Sequence, residues 1–145
     1  MSPTQRDEPL RDLARVHALR TADWRTDGVR LRSGVVDRLT AAQTFLPRAL
    51  RFLVVSGHHG PAGAGPCPDA ADHATGGAVD LSLHVSGSPE PALWSAAPPP
   101  EWPVCAAALT AVGMVGGDTW WHWSFGDSRW CASTGAQAPV YDPIP

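Results

Sequence analysis

Three stretches carry side chains able to do chemistry: "HATGGAVD" at 73–80, "GGDTWWHWSFGD" at 116–127 and "GHHG" at 57–60. The first puts His73 at the end of a Gly-rich loop and Asp80 in an otherwise apolar run, where a carboxylate is costly to bury unless it is paired or bound to a metal. The second surrounds His122 with Trp120, Trp121 and Trp123, and sets Thr119 three residues ahead of it. The third places His58 and His59 at the mouth of a strand that runs through Ser56. Two imidazoles and one carboxylate are a donor set for a divalent cation, filling three positions and leaving one for water or substrate. Water held there is acidified enough to act as a nucleophile near neutral pH. The same residues have plainer roles. Asp80 can cap a turn or pair with Arg51 or Arg129, His122 can be a hydrogen-bonded core histidine, and His58 and His59 can be solvated. His17 and His84 have no convergent partners in the pattern and are read as structural or exposed.

The elements that must position these groups follow from periodicity and punctuation. "SGVVDRLTAAQTFLP" puts Val35, Val36, Leu39, Ala42, Phe45 and Leu46 on one helical face, with Ser33 as N-cap and Pro47 as stop. "LRFLVVSG" is a buried β-branched strand ending at Gly57, and residues 58–72 form a loop. "GGAVDLSLHV" is a second strand, in which Val79, Leu81, Leu83 and Val85 alternate with Ala78, Asp80, Ser82 and His84. Residues 86–103 are a Pro-rich connection, extended or a lid. Trp24, Trp94 and Trp102 are core or lid residues on this reading. Pro103 opens a second helix that Gly113 closes, "GGDTWWHWSFGD" supplies a third strand, and residues 133–145 trail off irregularly. This mixture predicts an α+β fold, a small, mainly antiparallel sheet packed with helices. Residues 1–28 are expected as an N-terminal arm or peripheral segment, and residues 29–145 as a single metal-binding domain.

Composition narrows the function classes. The net charge of −3 comes with scattered basic residues and gives no electrostatic footprint for nucleic acid. No apolar run is long enough to cross a bilayer, and the charged start lacks the apolar core of a secretory signal. The 3 cysteines, an odd number set far apart, fit reduced thiols in the cytoplasm, with a Cys105–Cys131 bridge left open. The implied partner is a small-molecule or peptide-derived substrate, with no nucleic acid and no membrane.

Taken together, "HATGGAVDLSL" and "WWHWSFGDSRW" resemble the zinc D-alanyl-D-alanine dipeptidase and D,D-carboxypeptidase family (the VanX and VanY type). That family's pattern is His-x-x-Gly-x-Ala-x-Asp followed by Glu-Trp-Trp-His. Here His73, Gly76, Ala78 and Asp80 complete the first half, and Trp120, Trp121 and His122 keep most of the second. The similarity extends over about residues 29–143 and includes the helix and strand leading to "GHHGP". It implies a Hedgehog/D,D-peptidase-like fold, zinc as cofactor, and His73, Asp80 and His122 as its ligands. It also implies that Ser56, Trp120, Trp121 and Trp123 line the substrate pocket.

The departures are chemical. Where the family keeps its glutamate general base this chain has Thr119, whose hydroxyl accepts no proton near neutral pH. Asp118 is adjacent, but on a regular strand it points to the opposite face unless a bulge intervenes. Where the family keeps the arginine that polarises the scissile carbonyl, this chain has His59, with His58 before it, and a histidine can move protons. The expectation is a divalent-metal enzyme repurposed for cyclisation, condensation, elimination or isomerisation on a small amino-acid- or peptide-derived substrate, with His59 or His58 as acid/base, in the manner of altered hydrolases in specialised metabolism. Two alternatives stand beside it: a zinc dipeptidase or amidase using Asp118 or His59 as substitute base, and a non-catalytic metal-containing binding module.

Overall fold

The computed structural model describes residues 8–21, 28–58, 70–87 and 97–144. The sheet that carries the chemistry is built on two long strands, β4 (Leu50–Ser56) and β5 (Ala78–Val85), paired antiparallel so that Ser56 lies opposite Asp80. Beyond β5 the short strand β7 (His122–Ser124) pairs antiparallel, setting His122 opposite Asp80 and Ser124 opposite Ala78. β6 (Val115–Gly116) closes that edge antiparallel to β7, and β2 (Arg20–Thr21) closes the other, parallel to β4. The sheet is therefore mixed, in the order β2-β4-β5-β7-β6. A separate two-stranded antiparallel sheet joins β1 (Leu10–Asp12) to β3 (Arg30–Arg32). With three α-helices among the described residues the architecture is α+β, as the mixture of periodicities anticipated.

Side-chain alternation divides the sheet into two unlike faces. One contributes Phe52, Val54, Val79, Leu81, Leu83 and Trp123 to the hydrophobic core. Against it pack α1 (Ser33–Gln43), through Val35, Val36, Leu39 and Ala42, and α2 (Trp102–Ala111), through Cys105, Ala108 and Leu109. The other face carries Asp80, Ser82, His122 and Ser124, all buried.

Helix α1 differs from its expected form at both ends. Its first residue is Ser33, its cap position is Arg32, and no side chain caps it. It also ends at Gln43, so Phe45 no longer follows helical geometry and stands 62% exposed rather than joining the core stripe. A third helix, α3 (Ser128–Thr134), occupies sequence with no apolar stripe to announce it. Its N-cap is Asp127, whose carboxylate accepts from the Trp130 backbone N–H at 2.9 Å. The remaining tail is irregular, as anticipated.

The loop that delivers His73 is tied down by a buried arginine. Arg32 is 5% exposed, and its guanidinium donates to the carbonyls of Thr75 (2.8 Å), Glu8 (2.6 Å) and Asp142 (3.0 Å) while lying over the Tyr141 ring. Tyr141 in turn donates its hydroxyl to Glu8. Gly76, at the turn out of this loop, has φ +75°, and a Cβ there would also meet Leu10 and Arg32. The motif's first glycine is thus required by backbone conformation. Cys105 and Cys131 are both free thiols, and Cys67 lies outside the described residues, as do Trp24 and Trp94. No described helix is long and apolar enough to cross a membrane.

Two outcomes are expected. Arg32→Ala strands three carbonyls that had charged donors, and it lowers the unfolding free energy in urea titration by roughly 3 kcal/mol. Burial and the neighbouring Glu101 push the Cys105 thiol up to about 12, so iodoacetamide at neutral pH modifies Cys131 but leaves Cys105 unlabelled until the chain unfolds, as peptide mass spectrometry would show.

Candidate metal centre

Three groups that are distant in sequence meet on the polar face of the sheet. Asp80 comes from the middle of β5, His122 from the start of β7 directly across the ladder, and His73 from the short 3-10 helix Ala70–Thr75 that returns over the strands. The two histidines are fully buried and Asp80 is 1% exposed. His73 Nε2 lies 3.2 Å from Asp80 Oδ1, and His122 Nδ1 lies 3.1 Å from the same oxygen. The three potential ligand atoms all fall within 4.8 Å of one another. The imidazole rings meet edge to face, with centroids 5.0 Å apart.

The outer nitrogens show how this set is polarised. His73 Nδ1 lies 2.8 Å from the Gly57 carbonyl, which only accepts, so Nδ1 is the protonated nitrogen and Nε2 presents its lone pair inward. In a neutral ring, Nε2 and Asp80 Oδ1 are then two acceptors facing each other. Their approach is favourable only with a positive charge on or between them, from a second ring proton or a divalent cation. His122 obeys the same logic, because its two nitrogens face two carboxylates, Asp80 on Nδ1 and Asp72 on Nε2 at 3.0 Å. Two imidazole nitrogens and a carboxylate oxygen, with outer positions already hydrogen-bonded, are a donor set that could hold a metal ion.

Asp80 is pulled in two directions. Burial raises its proton affinity, but hydrogen bonding and charge from His122 and His73 outweigh it and bring the carboxyl down to about 2. Asp72 is also lowered: burial opposes, and His122 and Arg129 prevail. Asp127 goes the other way, raised by burial despite the hydrogen bond from the Trp130 backbone.

The other sequence candidates divide. Ser56 is buried at the end of β4, opposite Asp80 in the ladder. His58 is half-buried, its backbone N–H donates to the Arg30 carbonyl at 2.8 Å, and it stands outside the donor group. His59 lies outside the described residues. Thr119 and Asp118 belong to the turn joining β6 to β7, not to a continuous strand, so simple alternation does not govern them. The Thr119 carbonyl accepts from the His122 backbone N–H at 3.3 Å, and its hydroxyl oxygen is buried. The Asp118 side chain is 76% exposed and reaches Arg129 at 3.4 Å. Trp123, expected as a pocket wall, faces the hydrophobic core on the side of β7 opposite His122, because adjacent strand residues point apart. Trp120 packs edge to face on both Trp102 and Trp121. His17 is exposed and His84 half-buried, both outside the donor group.

Two residues join the site that motif spacing did not bring to it. Asp72, adjacent to His73, reaches His122 Nε2, and Arg129 binds Asp72 at 2.7 Å rather than Asp80. The available signals were weak: a carboxylate next to a candidate ligand, and a basic residue just after a helix-capping aspartate. No protein-family model and no curated protein matches this chain.

The depressed Asp80 carboxyl makes a signed prediction for the metal-free chain. A group with a lowered folded-state value stabilises the fold above its ordinary range near 3.8 and loses that contribution as pH falls toward about 2. Urea titrations of chelator-treated protein should therefore show wild type losing about 2 kcal/mol more than Asp80→Asn across that acid window. Equal acid limbs would contradict it.

Proposed function

We propose that this protein is a divalent-metal enzyme, zinc being the ion its donor set suits. On this reading it is built on the framework of the D-alanyl-D-alanine dipeptidases but acts on a small amino-acid- or peptide-derived substrate by chemistry other than ordinary peptide hydrolysis. One observation carries the reading: His73 Nε2 and His122 Nδ1 converge on a single Asp80 oxygen in a buried site. His73, Asp80 and His122 would hold the ion, and a zinc ion bound there supplies Lewis-acid polarisation of a substrate carbonyl. The donor group holds three residues among those described, which favours a centre with an open position over a four-ligand structural one.

The chain's own residues argue against standard hydrolysis. Thr119 stands where the resembling peptidases keep a glutamate, and its hydroxyl cannot take a proton near neutral pH. Asp118, the nearest substitute, is turned out to solvent and toward Arg129. Proton transfer then falls to the His58–His59 pair, which suits cyclisation, condensation, elimination or isomerisation. A peptidase using Asp118 or His59 as base, or a binding module without turnover, is what the test below would reveal instead.

Elemental analysis of the purified chain is expected to find about one divalent ion per molecule, lost in His122→Ala, where one metal donor is gone. The parent should not cleave D-Ala-D-Ala, whereas Thr119→Glu should install cleavage that exceeds the parent's by on the order of 10² or more. Efficient cleavage by the parent, abolished in His122→Ala, would replace this reading with the substitute-base peptidase. His59→Ala should end turnover of the true substrate while metal content stays at the wild-type level. Absence of turnover across a substrate panel, with ligand-dependent thermal stabilisation in its place, would favour the binding module.

A further inference from the structure

His122 is held from both sides. Its Nδ1 faces Asp80, inside the donor group, and its Nε2 faces Asp72 Oδ2 at 3.0 Å, with the Ser124 hydroxyl 3.3 Å from the same nitrogen. Asp72 faces the ring nitrogen opposite the one turned to Asp80, so it stands behind the ring as seen from the donor group. Arg129 Nε sits 2.7 Å from that same Asp72 oxygen, and the guanidinium also reaches Asp118 at 3.4 Å. A chain of polar contacts therefore runs outward from the buried Asp80 through His122, Asp72 and Arg129 to the exposed Asp118.

We infer that Asp72, anchored by Arg129, is the positioning residue that makes His122 a metal ligand; this rests on the metal-centre reading above. An imidazole left to itself can carry its proton on either nitrogen and can turn about its Cβ–Cγ bond. A carboxylate that accepts from Nε2–H settles both choices at once: the proton stays on Nε2, and the Nδ1 lone pair faces His73 and Asp80. The Gly57 carbonyl does the same for His73 from its own outer nitrogen. The two histidines are thus oriented by unlike partners, a neutral carbonyl and a charged carboxylate. Only the carboxylate adds negative charge behind the ring and makes the ligating nitrogen a better donor. Arg129 holds Asp72 in place from the far side, donating to the same carboxylate oxygen at 2.7 Å. The economy lies in the sequence, since the adjacent pair Asp72-His73 supplies one ligand and the orienter of the other.

The test uses Zn²⁺ alone, titrated into the stripped full-length chain against a fluorescent chelator. Wild type, Asp72→Asn, Arg129→Gln and the double variant are compared, with ¹⁵N-detected imidazole spectra recording the His122 tautomer. Asp72→Asn is expected to weaken Zn²⁺ binding by roughly 10- to 100-fold and to lose the uniform Nε2–H form, while the stripped variant melts close to wild type. Arg129→Gln weakens binding less, and on the Asp72→Asn background it adds little. Unchanged Zn²⁺ affinity in Asp72→Asn, or a full Arg129→Gln effect in the double variant, overturns the positioning role. If Asp72→Asn does not fold, the partly exposed Arg129→Gln decides by the same affinity and tautomer readouts. A wild-type chain that takes no Zn²⁺ overturns the metal-centre reading itself. Tight wild-type binding with an indifferent Asp72→Asn overturns the positioning role alone.

Discussion

Asp80 lies in the middle of a sheet, 1% exposed, on a strand whose neighbouring residues are apolar. Taking a carboxylate out of water costs several kcal/mol unless nearby positive charge and hydrogen bonds make up for it. Around Asp80 that compensation is layered. His73 and His122 face it directly, Asp72 and the Gly57 carbonyl orient those two rings, and Arg129 neutralises Asp72. These groups come from five parts of the chain: strand β5 gives Asp80, β7 gives His122, the 3-10 helix gives both Asp72 and His73, the residue just past β4 gives the Gly57 carbonyl, and helix α3 gives Arg129. The register between β5 and β7 matters more than any single contact, because a one-residue slip would turn Asp80 or His122 into the hydrophobic core.

The two faces of the sheet perform separate tasks. The core face is ordinary apolar packing against α1 and α2, and it fixes the strands in place. The polar face can then hold ionisable groups in a dry setting, where electrostatic interactions are stronger than in water. The His73 loop, however, belongs to neither layer. It is held by the guanidinium of Arg32, which also gathers the segments around Glu8 and Asp142, so the donor group depends on a residue far from its chemistry.

Much of this was legible before any coordinates. Strands β4 and β5 and helix α2 follow from β-branched runs, period-two alternation and the Pro103/Gly113 punctuation, while Asp80 and His122 stand out as polar residues in apolar or aromatic runs and His73 as the histidine ending a Gly-rich loop. What escaped notice shares a physical cause. The Asp72–His122 and Arg129–Asp72 contacts span 50 and 57 residues and leave no periodic trace. The family resemblance implies Trp123 as a pocket residue beside His122, but a strand sends neighbours to opposite faces and Trp123 joins the core. Asp118 was judged by strand alternation, but the chain turns there. Helix α3 shows no apolar stripe because none of its residues is fully buried; Trp130 alone packs partly against the core, and Asp127 caps the N-terminus.

Arg32 also ties distant parts of the chain to one point. Its three carbonyl partners lie 43, 24 and 110 residues away along the chain, so each contact closes a loop, the last of them nearly as long as the described fold itself. Closing such loops costs chain entropy that the contacts must offset. Arg32 is in that sense a latch, fastening the loop that carries His73 to the segments around Glu8 and Asp142 at once.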